Sequence, residues 1–359
     1  MLGRSTGAPG KDTMRVAILT FYSFEEVAGG TEIFVRYLKH VFPESDLITY
    51  SVARKHEMKT DLSKVNLEEA KMGFVTGRKF HENNRRDPYD LVLSNSTAGW
   101  LISLLRPGIP MINVYHFTFA GMADKVLRGT PGYSASRYFI PLFERASAFG
   151  KVNVAVSYKT QRELKEYYGQ ESRVIENGVP LDVFKPVPRD EAREILGLDW
   201  DGPMGIFVGR TDHTKGFDIV QRVSRMKPDT KILCITPSRV LDDRLILRRN
   251  VRNEEMPLYY SASDFFLFPS RYESASYSAL EAMACDLPVV VSRTGIFEDI
   301  DEVRVGRIVD SFKPEDFAKA IDFILASTGY DSRRLVSERF SLEKFLDGYR
   351  RLADELVPR

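Results

Sequence analysis

The sequence has little of several features that would define a class of protein directly. It contains only two cysteines in 359 residues. Because they lack the spacing of a disulfide framework or a metal site, Cys234 and Cys285 are expected to fill the core. No apolar run approaches the roughly eighteen residues of a membrane span, and there is no signal-peptide pattern. No G-x-G-x-x-G follows a strand and no G-x-x-x-x-G-K-[ST] is present, so the dinucleotide fingerprint and the P-loop are both missing.

Charge of one sign is also scarce. The formal net charge is +1, with 51 Lys and Arg against 50 Asp and Glu. Residues 1–176 carry an excess of five basic side chains and the remainder an excess of four acidic ones. This asymmetry is too weak for nucleic-acid binding to be the main function. It suits a first half that approaches an anionic acceptor or a membrane surface, although ordinary surface variation explains it equally well. A cytoplasmic protein is expected, with the inner membrane surface as a second location.

Length and pattern together predict two domains. At 359 residues the chain is too long for one typical core. Residues 1–13 are rich in glycine, serine and proline and are predicted to be a disordered leader. From Met14 onward, short apolar runs alternate with helical patterns, which is typical of a parallel, doubly wound sheet. The predicted strands of this first series are RVAILTFY (15–22), DLITYSV, DLVLSNS, PMINVYH and VNVAVS.

A second series of the same kind follows a turn-rich connection over 177–203. Its predicted strands are MGIFVG, KILCIT, DFFLFP, PVVVS and GRIV. We therefore expect an α/β protein of two Rossmann-like domains, residues 14–176 and 177–341. The closing segment, 342–359, is predicted to be helical as far as 357 with Ser341 as its cap. Its apolar stripe must dock on its own domain or cross back to the first.

The stretch from Phe265 to Thr294 carries the clearest chemical pattern. A strand leads into a polar loop with Glu273, a helix is predicted to open near Glu281, and a second strand follows. Two carboxylates would then lie at the C-terminal edge of a parallel sheet. They would lie beside a helix N-terminus, whose free N–H groups attract anions. A nucleotide-sugar fits both features, because it offers phosphate to the helix and hydroxyls to the carboxylates.

Other polar residues follow predicted strands, where open α/β sheets bind their ligands. Arg210 and Lys215 place two cations at one strand end and suit a diphosphate, although a solvated loop gives the same pattern. Gly29 and Gly30 permit close approach of the backbone to a ligand at the next helix. His116 is either a cap among aromatic residues or a hydrogen-bonding group that faces the cleft.

Taken in order, these segments resemble the retaining glycosyltransferases of family 4, which have the two-domain GT-B fold. The resemblance spans nearly the whole chain after the leader. The matching motifs are GGTEIFVRYL, VIENGVPLDVFKP, VGRTDHTKGFD, the E-x7-E segment within PSRYESASYSALEAMACDLPVVVS, and RFSLEKFLDGYRRL. Each motif alone is common, but five in the order of the family are highly specific.

The resemblance implies a role for each matched residue. Arg210 and Lys215 would hold the donor diphosphate, and Gly29 and Gly30 would bring the first domain against it. His116 and Glu273 are the catalytic candidates, near the reacting sugar and its hydroxyls. The remaining donor-binding residues would be Ser274, Ala275, Ser276 and Tyr277 through their backbone N–H groups, and Glu281 through the ribose.

The resemblance also implies the reactants. The donor would be a nucleotide-diphosphate sugar, UDP- or GDP-linked, with no cofactor and no metal. The Asp-Trp-Asp run at 199–201 resembles the metal-binding motif of other glycosyltransferases, but its context is a turn and predicts a structural role. The acceptor stays open as a glycan, a lipid or a small molecule, and a peripheral membrane contact would use the first domain.

Three departures from the family pattern stand out. The usual E-G-F-G is Glu273-Ser274-Ala275-Ser276, and Asp286 replaces a glycine after the helix. The loop and helix expected after KILCIT are replaced by the shorter PSRVLDDRLI, which flanks the nucleotide base. One alternative is a catalytically silent relative that binds a sugar or nucleotide, against which the intact site residues argue. A nicotinamide-dependent oxidoreductase is a further alternative, but the glycine fingerprint is missing.

Overall fold

The computed structural model of the protein describes residues 14–23, 29–50, 65–105 and 108–358. The predicted leader, residues 1–13, lies outside them. The described residues form two parallel β-sheets of six strands each, with helices on both faces. The fold class predicted from the sequence, α/β with two doubly wound domains, is confirmed.

The first sheet contains the strands β1 (Val16–Thr20), β2 (Asp46–Thr49), β3 (Leu91–Asn95), β4 (Met111–Tyr115), β5 (Val152–Ala155) and β6 (Arg173–Val174). Their spatial order is β2-β1-β3-β4-β5-β6, and every pair is parallel. Strands β1, β3 and β4 are buried along their whole length. They occur in the sequence as nearly unbroken apolar runs because helices cover both faces of the sheet.

The α-helices that follow these strands are α1 (Gly30–Leu38), α2 (Val65–Arg86), α3 (Trp100–Leu105), α4 (Phe119–Met122), α5 (Ile140–Ala148) and α6 (Tyr158–Glu163). Wider turns with π-helical hydrogen bonding extend three of these helices, at Ala123–Leu127, Ala135–Phe139 and Leu164–Tyr168. Ser157 caps α6, because its side chain accepts a hydrogen bond from the backbone N–H of Thr160. None of the described helices is both long and apolar enough to span a bilayer.

The second sheet contains β7 (Met204–Val208), β8 (Lys231–Ile235), β9 (Leu245–Arg248), β10 (Phe265–Phe268), β11 (Val289–Ser292) and β12 (Gly306–Val309). Their spatial order is β12-β11-β10-β7-β8-β9, again with all pairs parallel. Strand β9 was not predicted from the sequence. The segment 236–244 joins it to β8 without any helix.

The second set of helices is α7 (Arg189–Ile195), α8 (Phe217–Met226), α9 (Met256–Ser261), α10 (Tyr277–Ala284), α11 (Glu302–Val305), α12 (Pro314–Leu325) and α13 (Ser332–Arg339). Helix α10 ends at Ala284, and Cys285 and Asp286 follow it. The latter adopts the left-handed conformation, with φ of 59°. An aspartate tolerates this conformation better than most residues, so the replacement of the usual glycine leaves the turn intact.

The closing helix, α14 (Leu342–Leu356), crosses back to the first domain. Ser341 caps it by accepting a hydrogen bond from the Lys344 N–H. The rings of Phe345 and Tyr349 lie edge-on to Phe34 of α1, with centroids 5.3 and 5.7 Å apart. Of the two docking sites left open by the sequence, the helix therefore uses the first domain and holds the two domains together.

Candidate active site

An ion pair between Lys215 and Glu273 lies at the carboxyl edge of the second sheet. The Lys215 ammonium contacts the Glu273 carboxylate, and their side chains are only 22% and 13% exposed. The Ser270 hydroxyl donates to the same carboxylate at 2.9 Å. The two residues come from the loops after β7 and β10, which are neighbouring strands of the sheet. Neighbouring parallel strands therefore explain why residues 58 positions apart meet.

The turn that carries Lys215 has a fixed shape. Asp212 caps it by accepting a hydrogen bond from the Lys215 N–H at 3.1 Å. Gly216 follows with φ of +69°, which a glycine adopts without strain. A Cβ at Gly216 would lie 2.0 Å from the carbonyl oxygen of Pro269. Position 216 therefore needs glycine both for its conformation and for the close approach of the Glu273 loop.

Further hydrogen bonds join the two loops into one unit. The Arg271 N–H donates to the Thr214 carbonyl at 2.7 Å. The Arg271 guanidinium donates to the His213 carbonyl and forms two hydrogen bonds with the Asp218 carboxylate, all within 2.8 Å. These hydrogen bonds fix the loop of Lys215 and the loop of Glu273 relative to each other in the absence of a ligand.

Arg210 provides a second cation on the same loop as Lys215. Its Nε donates to Asp212 Oδ2 at 2.6 Å, and the side chain is 40% exposed. A guanidinium carries five N–H donors in a fixed fork, so this one contact leaves donors for an anion. Arg210 and Lys215 together place two cations, each paired with a carboxylate, at the carboxyl end of β7, and they form a charged corner there.

The loop after Glu273 leads to the N-terminus of α10. Ser276 is the N-cap residue and makes no side-chain capping bond, so the first N–H groups of the helix can bind an anion. Asn177, from the connection between the domains, donates to the Ala275 carbonyl at 3.2 Å. Gly295 brings the next loop close, because a Cβ there would lie 2.6 Å from the Ser274 carbonyl oxygen.

The predicted helix start near Glu281 is wrong. Helix α10 begins at Tyr277, because Ser276 is extended and serves as the N-cap. Glu281 therefore lies in the second turn, where it is only 4% exposed, rather than at the open edge of the sheet. Its Oε2 accepts a hydrogen bond from the Tyr260 hydroxyl at 2.9 Å, whereas Oε1 is buried without a partner in the described structure. Burial raises the pKa of Glu281 to about 7.

Gly29 and Gly30 lie at the N-terminus of α1, and Gly30 lies next to the second domain. A Cβ at Gly30 would be 3.9 Å from the ring of Tyr277, the first residue of α10. The amino ends of α1 and α10 therefore meet. Behind them, the rings of Tyr37 and Tyr277 lie 5.9 Å apart. A Cβ at Gly29 would lie 2.4 Å from a carboxylate oxygen of Glu32 in the first turn of α1.

His116 is fixed by contacts within the first domain. Its Nε2 lies 2.8 Å from Asn95 Oδ1, and Asn95 Nδ2 donates to the Leu19 carbonyl at 2.9 Å. Since the amide is oriented by Leu19, its oxygen faces the ring, and the neutral histidine carries its proton on Nε2. The ring also lies edge-on to Phe34. Burial lowers the pKa of His116 to about 4, so the ring is neutral at physiological pH.

The Asp-Trp-Asp run lies away from these residues. It precedes β7, and so lies at the opposite edge of the sheet from Arg210. Arg193 donates to the Trp200 carbonyl at 2.8 Å, and the Trp200 indole donates to the Pro203 carbonyl at 3.0 Å. No group of three or more His, Cys, Asp or Glu side chains with metal-binding geometry occurs in the described ranges of the chain.

Sequence reasoning missed Tyr272, which connects this site to the first domain. Its hydroxyl donates to Glu163 of α6 at 2.6 Å, across 109 positions of sequence. An aromatic residue next to Glu273 was visible in the sequence, but no local signal links it to a glutamate that far away.

Two doubly wound parallel sheets in one chain are typical of the GT-B class of glycosyltransferases. The model of the glycosyl transferases group 1 matches residues 202–327, and the model of Glycosyltransferase Family 4 matches residues 28–183. Together the two matches cover most of the chain and every strand of the two sheets except β1. The protein belongs to the family 4 glycosyltransferases.

Individual relatives agree with this assignment. The chain is 28% identical over 293 residues to the D-inositol 3-phosphate glycosyltransferase of Xylanimonas cellulosilytica, with 72% of this chain and 68% of that protein covered. In several other curated relatives of the same name, the matched part is about 60% of their length.

Solved structures show the same fold. The sucrose-phosphate synthase of Thermosynechococcus elongatus superposes with a TM-score of 0.81 at 21% identity, covering 96% of this chain and 99% of that one. HepE of Anabaena, in complex with UDP-glucose, gives a TM-score of 0.75 at 15% identity and covers 96% and 100%.

Proposed function

We propose that the protein transfers a glycosyl group from a nucleotide-diphosphate sugar to an acceptor, with retention of anomeric configuration and without a metal ion. The observation that carries the proposal is the Lys215–Glu273 pair beside Arg210. Two cations suit a diphosphate, and the adjacent carboxylate suits sugar hydroxyls. The crystal structure of HepE, which has the same fold, contains UDP-glucose, which supports a UDP-linked donor, with a GDP-linked donor as the second choice.

The main task of catalysis in this reaction is to stabilise the negative charge that develops on the departing diphosphate. When the glycosyl–phosphate bond breaks, the sugar becomes oxocarbenium-like and negative charge collects on the leaving group. Arg210 and Lys215 stabilise this charge, together with the N–H groups at the start of α10. Lys215 keeps two ammonium protons for the phosphate when one is shared with Glu273. Each such preorganised donor contributes about 10²–10³ in rate.

His116 contributes a neutral hydrogen-bonding group beside the sugar. A cationic imidazolium there would repel the positive charge that develops on the oxocarbenium-like ring. Burial keeps the pKa of His116 near 4 and prevents this repulsion. Asn95 fixes the ring orientation through its 2.8 Å contact, so the histidine needs no reorganisation during the reaction.

Glu281 supports nucleotide binding through its unpaired oxygen. A buried carboxylate oxygen without a hydrogen-bond partner carries a desolvation cost of about 1–3 kcal/mol. Ribose hydroxyls are donors that would remove this cost on binding. The Tyr260 hydroxyl already orients the other oxygen at 2.9 Å. Donor binding and the ionised state of Glu281 are therefore coupled in this proposal.

A membrane-bound or anionic acceptor is the second part of the proposal. Large apolar side chains are exposed on neighbouring helices of the first domain, namely Phe74, Leu104, Leu105, Leu142 and Phe149. Helices α3 and α5 lie side by side, since the Trp100 and Phe143 rings are 5.4 Å apart. Arg145 is exposed between Leu142 and Phe149 on one face of α5. Apolar side chains that flank a base are typical of contact with anionic lipid.

A donor-hydrolysis assay tests the proposal without knowledge of the acceptor. The purified protein is incubated with UDP-, GDP- and ADP-sugars, and released nucleotide diphosphate is measured. Slow release from one donor class is expected, and NMR of the freed sugar should show the anomer of the donor as the first product. A catalytically silent relative would bind a nucleotide by calorimetry without releasing it from any donor.

A further inference from the structure

Tyr272 inserts from the second domain into an apolar pocket of the first. Its side chain is 5% exposed and belongs to a buried cluster with Phe119, Met122, Leu127 and Ile140. The hydroxyl donates to Glu163 Oε2 at 2.6 Å. The ring thus provides apolar burial, and its tip provides a hydrogen bond to a buried carboxylate.

Glu163 is held by two further groups of the first domain. The Thr118 hydroxyl donates to the same Oε2 at 2.7 Å, and the Lys159 ammonium lies 2.8 Å from Oε1. That ammonium also lies 3.5 Å from the centroid of the Tyr272 ring, within the range of a cation–π interaction. The Thr118 N–H contacts the Tyr272 oxygen at 3.3 Å. Tyr272 is therefore fixed at its hydroxyl by hydrogen bonds and over its ring by the Lys159 ammonium.

The contact needs a glycine on the first domain. A Cβ at Gly121 would lie 2.6 Å from the Glu163 carboxylate.

Lys159, Arg162 and Glu163 share one face of α6, because positions three and four apart are neighbours on a helix. Arg162 forms ion pairs with Glu298 and Asp299, but its side chain is 49% exposed, and exposed pairs contribute little. The buried Tyr272–Glu163 contact therefore restrains the position of one domain relative to the other more strongly than the Arg162 ion pairs do.

The same contact joins the two halves of the active site. Tyr272 directly precedes Glu273, and Thr118 follows His116 by two residues. We propose that Tyr272 is a positioning residue that, through Glu163 and Thr118, sets the separation of Glu273 from His116. The inference rests on the proposed function. A shift of about 1 Å between reacting groups can cost 10²-fold in rate, so a loosened contact would impair catalysis without removing any residue that touches the donor.

Tyr272→Phe tests the positioning role, because it removes one oxygen and keeps the ring in its pocket. We expect kcat for donor hydrolysis to fall about tenfold or more, with donor KM within twofold, because Arg210, Lys215 and Glu281 stay in place on the second domain. Glu163→Gln should also lower kcat while donor KM stays nearly unchanged. The double variant should have a kcat no lower than that of the more impaired single variant, because each single variant already disrupts the Tyr272–Glu163 contact.

Arg162→Ala is the matched control, since it lies on the same face of α6 but makes exposed contacts, and its kcat should stay within twofold. A Tyr272→Phe enzyme with wild-type kcat would overturn the inference. So would a rise in donor KM at unchanged kcat.

A second readout does not depend on turnover. Spin labels at Arg128→Cys and Lys313→Cys, one in each domain, should give a broader distance distribution in Tyr272→Phe than in the otherwise wild-type chain. An unchanged distribution would also overturn the inference. If the wild-type protein hydrolysed no donor, the proposed function would fail by itself, and the spin-label measurement would still decide the role of Tyr272.

Discussion

We expect Lys215→Ala to lower kcat for donor hydrolysis by about 10²–10³-fold in a protein that stays folded. Two effects act at this position. At an effective dielectric constant near 20, two charges about 4 Å apart attract by roughly 4 kcal/mol before desolvation. Loss of one donor to the leaving group costs about 2.7–4 kcal/mol of transition-state stabilisation. The two estimates agree on a large kinetic effect.

The effect on folding should be much smaller. Without Lys215, the Glu273 carboxylate keeps the Ser270 hydroxyl at 2.9 Å. The loop remains anchored through Arg271 and the Thr214 carbonyl. We therefore expect the unfolding free energy to fall by about 1–3 kcal/mol, the cost of an incompletely paired buried group, and Tm to fall modestly with it. Initial rates of nucleotide release and thermal unfolding by circular dichroism measure the two effects separately.

Lys227→Ala provides the control. Its ammonium contacts Asp322 and its side chain is 17% exposed, close to the 22% of Lys215. It lies beyond the C-terminal end of α8, away from the site. Because Asp322 is 65% exposed, this variant should lose less stability than Lys215→Ala and should keep its kcat. If Lys215→Ala turned over within threefold of the wild-type rate, or if Lys227→Ala lost kcat to the same extent, the assigned role of Lys215 would be refuted.

Three further outcomes are expected. Donor KM should rise as the pH falls below about 7, because protonation of Glu281, whose pKa burial raises to that value, replaces a charged acceptor for the ribose hydroxyls by a weaker neutral one; Glu281→Gln should show a high KM that does not change over this range. Transfer should persist in excess EDTA, and loss that added Mg²⁺ or Mn²⁺ restores would contradict metal independence. Leu142→Glu with Phe149→Glu should reduce co-sedimentation with phosphatidylglycerol vesicles severalfold at unchanged donor hydrolysis, whereas equal binding by wild type and variant would remove this surface from the proposal.

The strands of both sheets were largely predictable, and the exceptions have physical causes. Buried parallel strands such as β1 and β11 are apolar apart from their last residue, a pattern typical of strands covered on both faces. Strand β6 is only two residues long and begins with the exposed Arg173, so it carries no pattern. Strand β9 lies at the edge of its sheet and ends in Arg248. It follows a connection without a helix, and the alternation of strand and helix that identified the other strands is absent there.

The site was less predictable than the fold, because its geometry depends on distant pairs. The spacing of Arg210 and Lys215 indicates a phosphate-binding loop, but not that Lys215 contacts Glu273. The fixed orientation of His116 depends on Asn95, which is the last residue of a different strand. The contact of Tyr272 with Glu163 crosses between the domains. These relations follow from strand order and domain docking, which local sequence patterns do not encode.

The loops after β7 and β10 are joined to each other within the second domain, so the first domain could be replaced without disturbing them. Because Gly216, Arg271 and Ser270 lock the charged corner onto one sheet, a chimaera could receive a different first domain and keep its donor preference. The foreign domain would have to supply counterparts of Glu163 and Thr118. Without them, Tyr272 would lose its hydrogen bond to the first domain. Under the proposed function, in which the acceptor meets the first domain, acceptor choice could be exchanged as a module, with the fit around one aromatic side chain as the main design constraint.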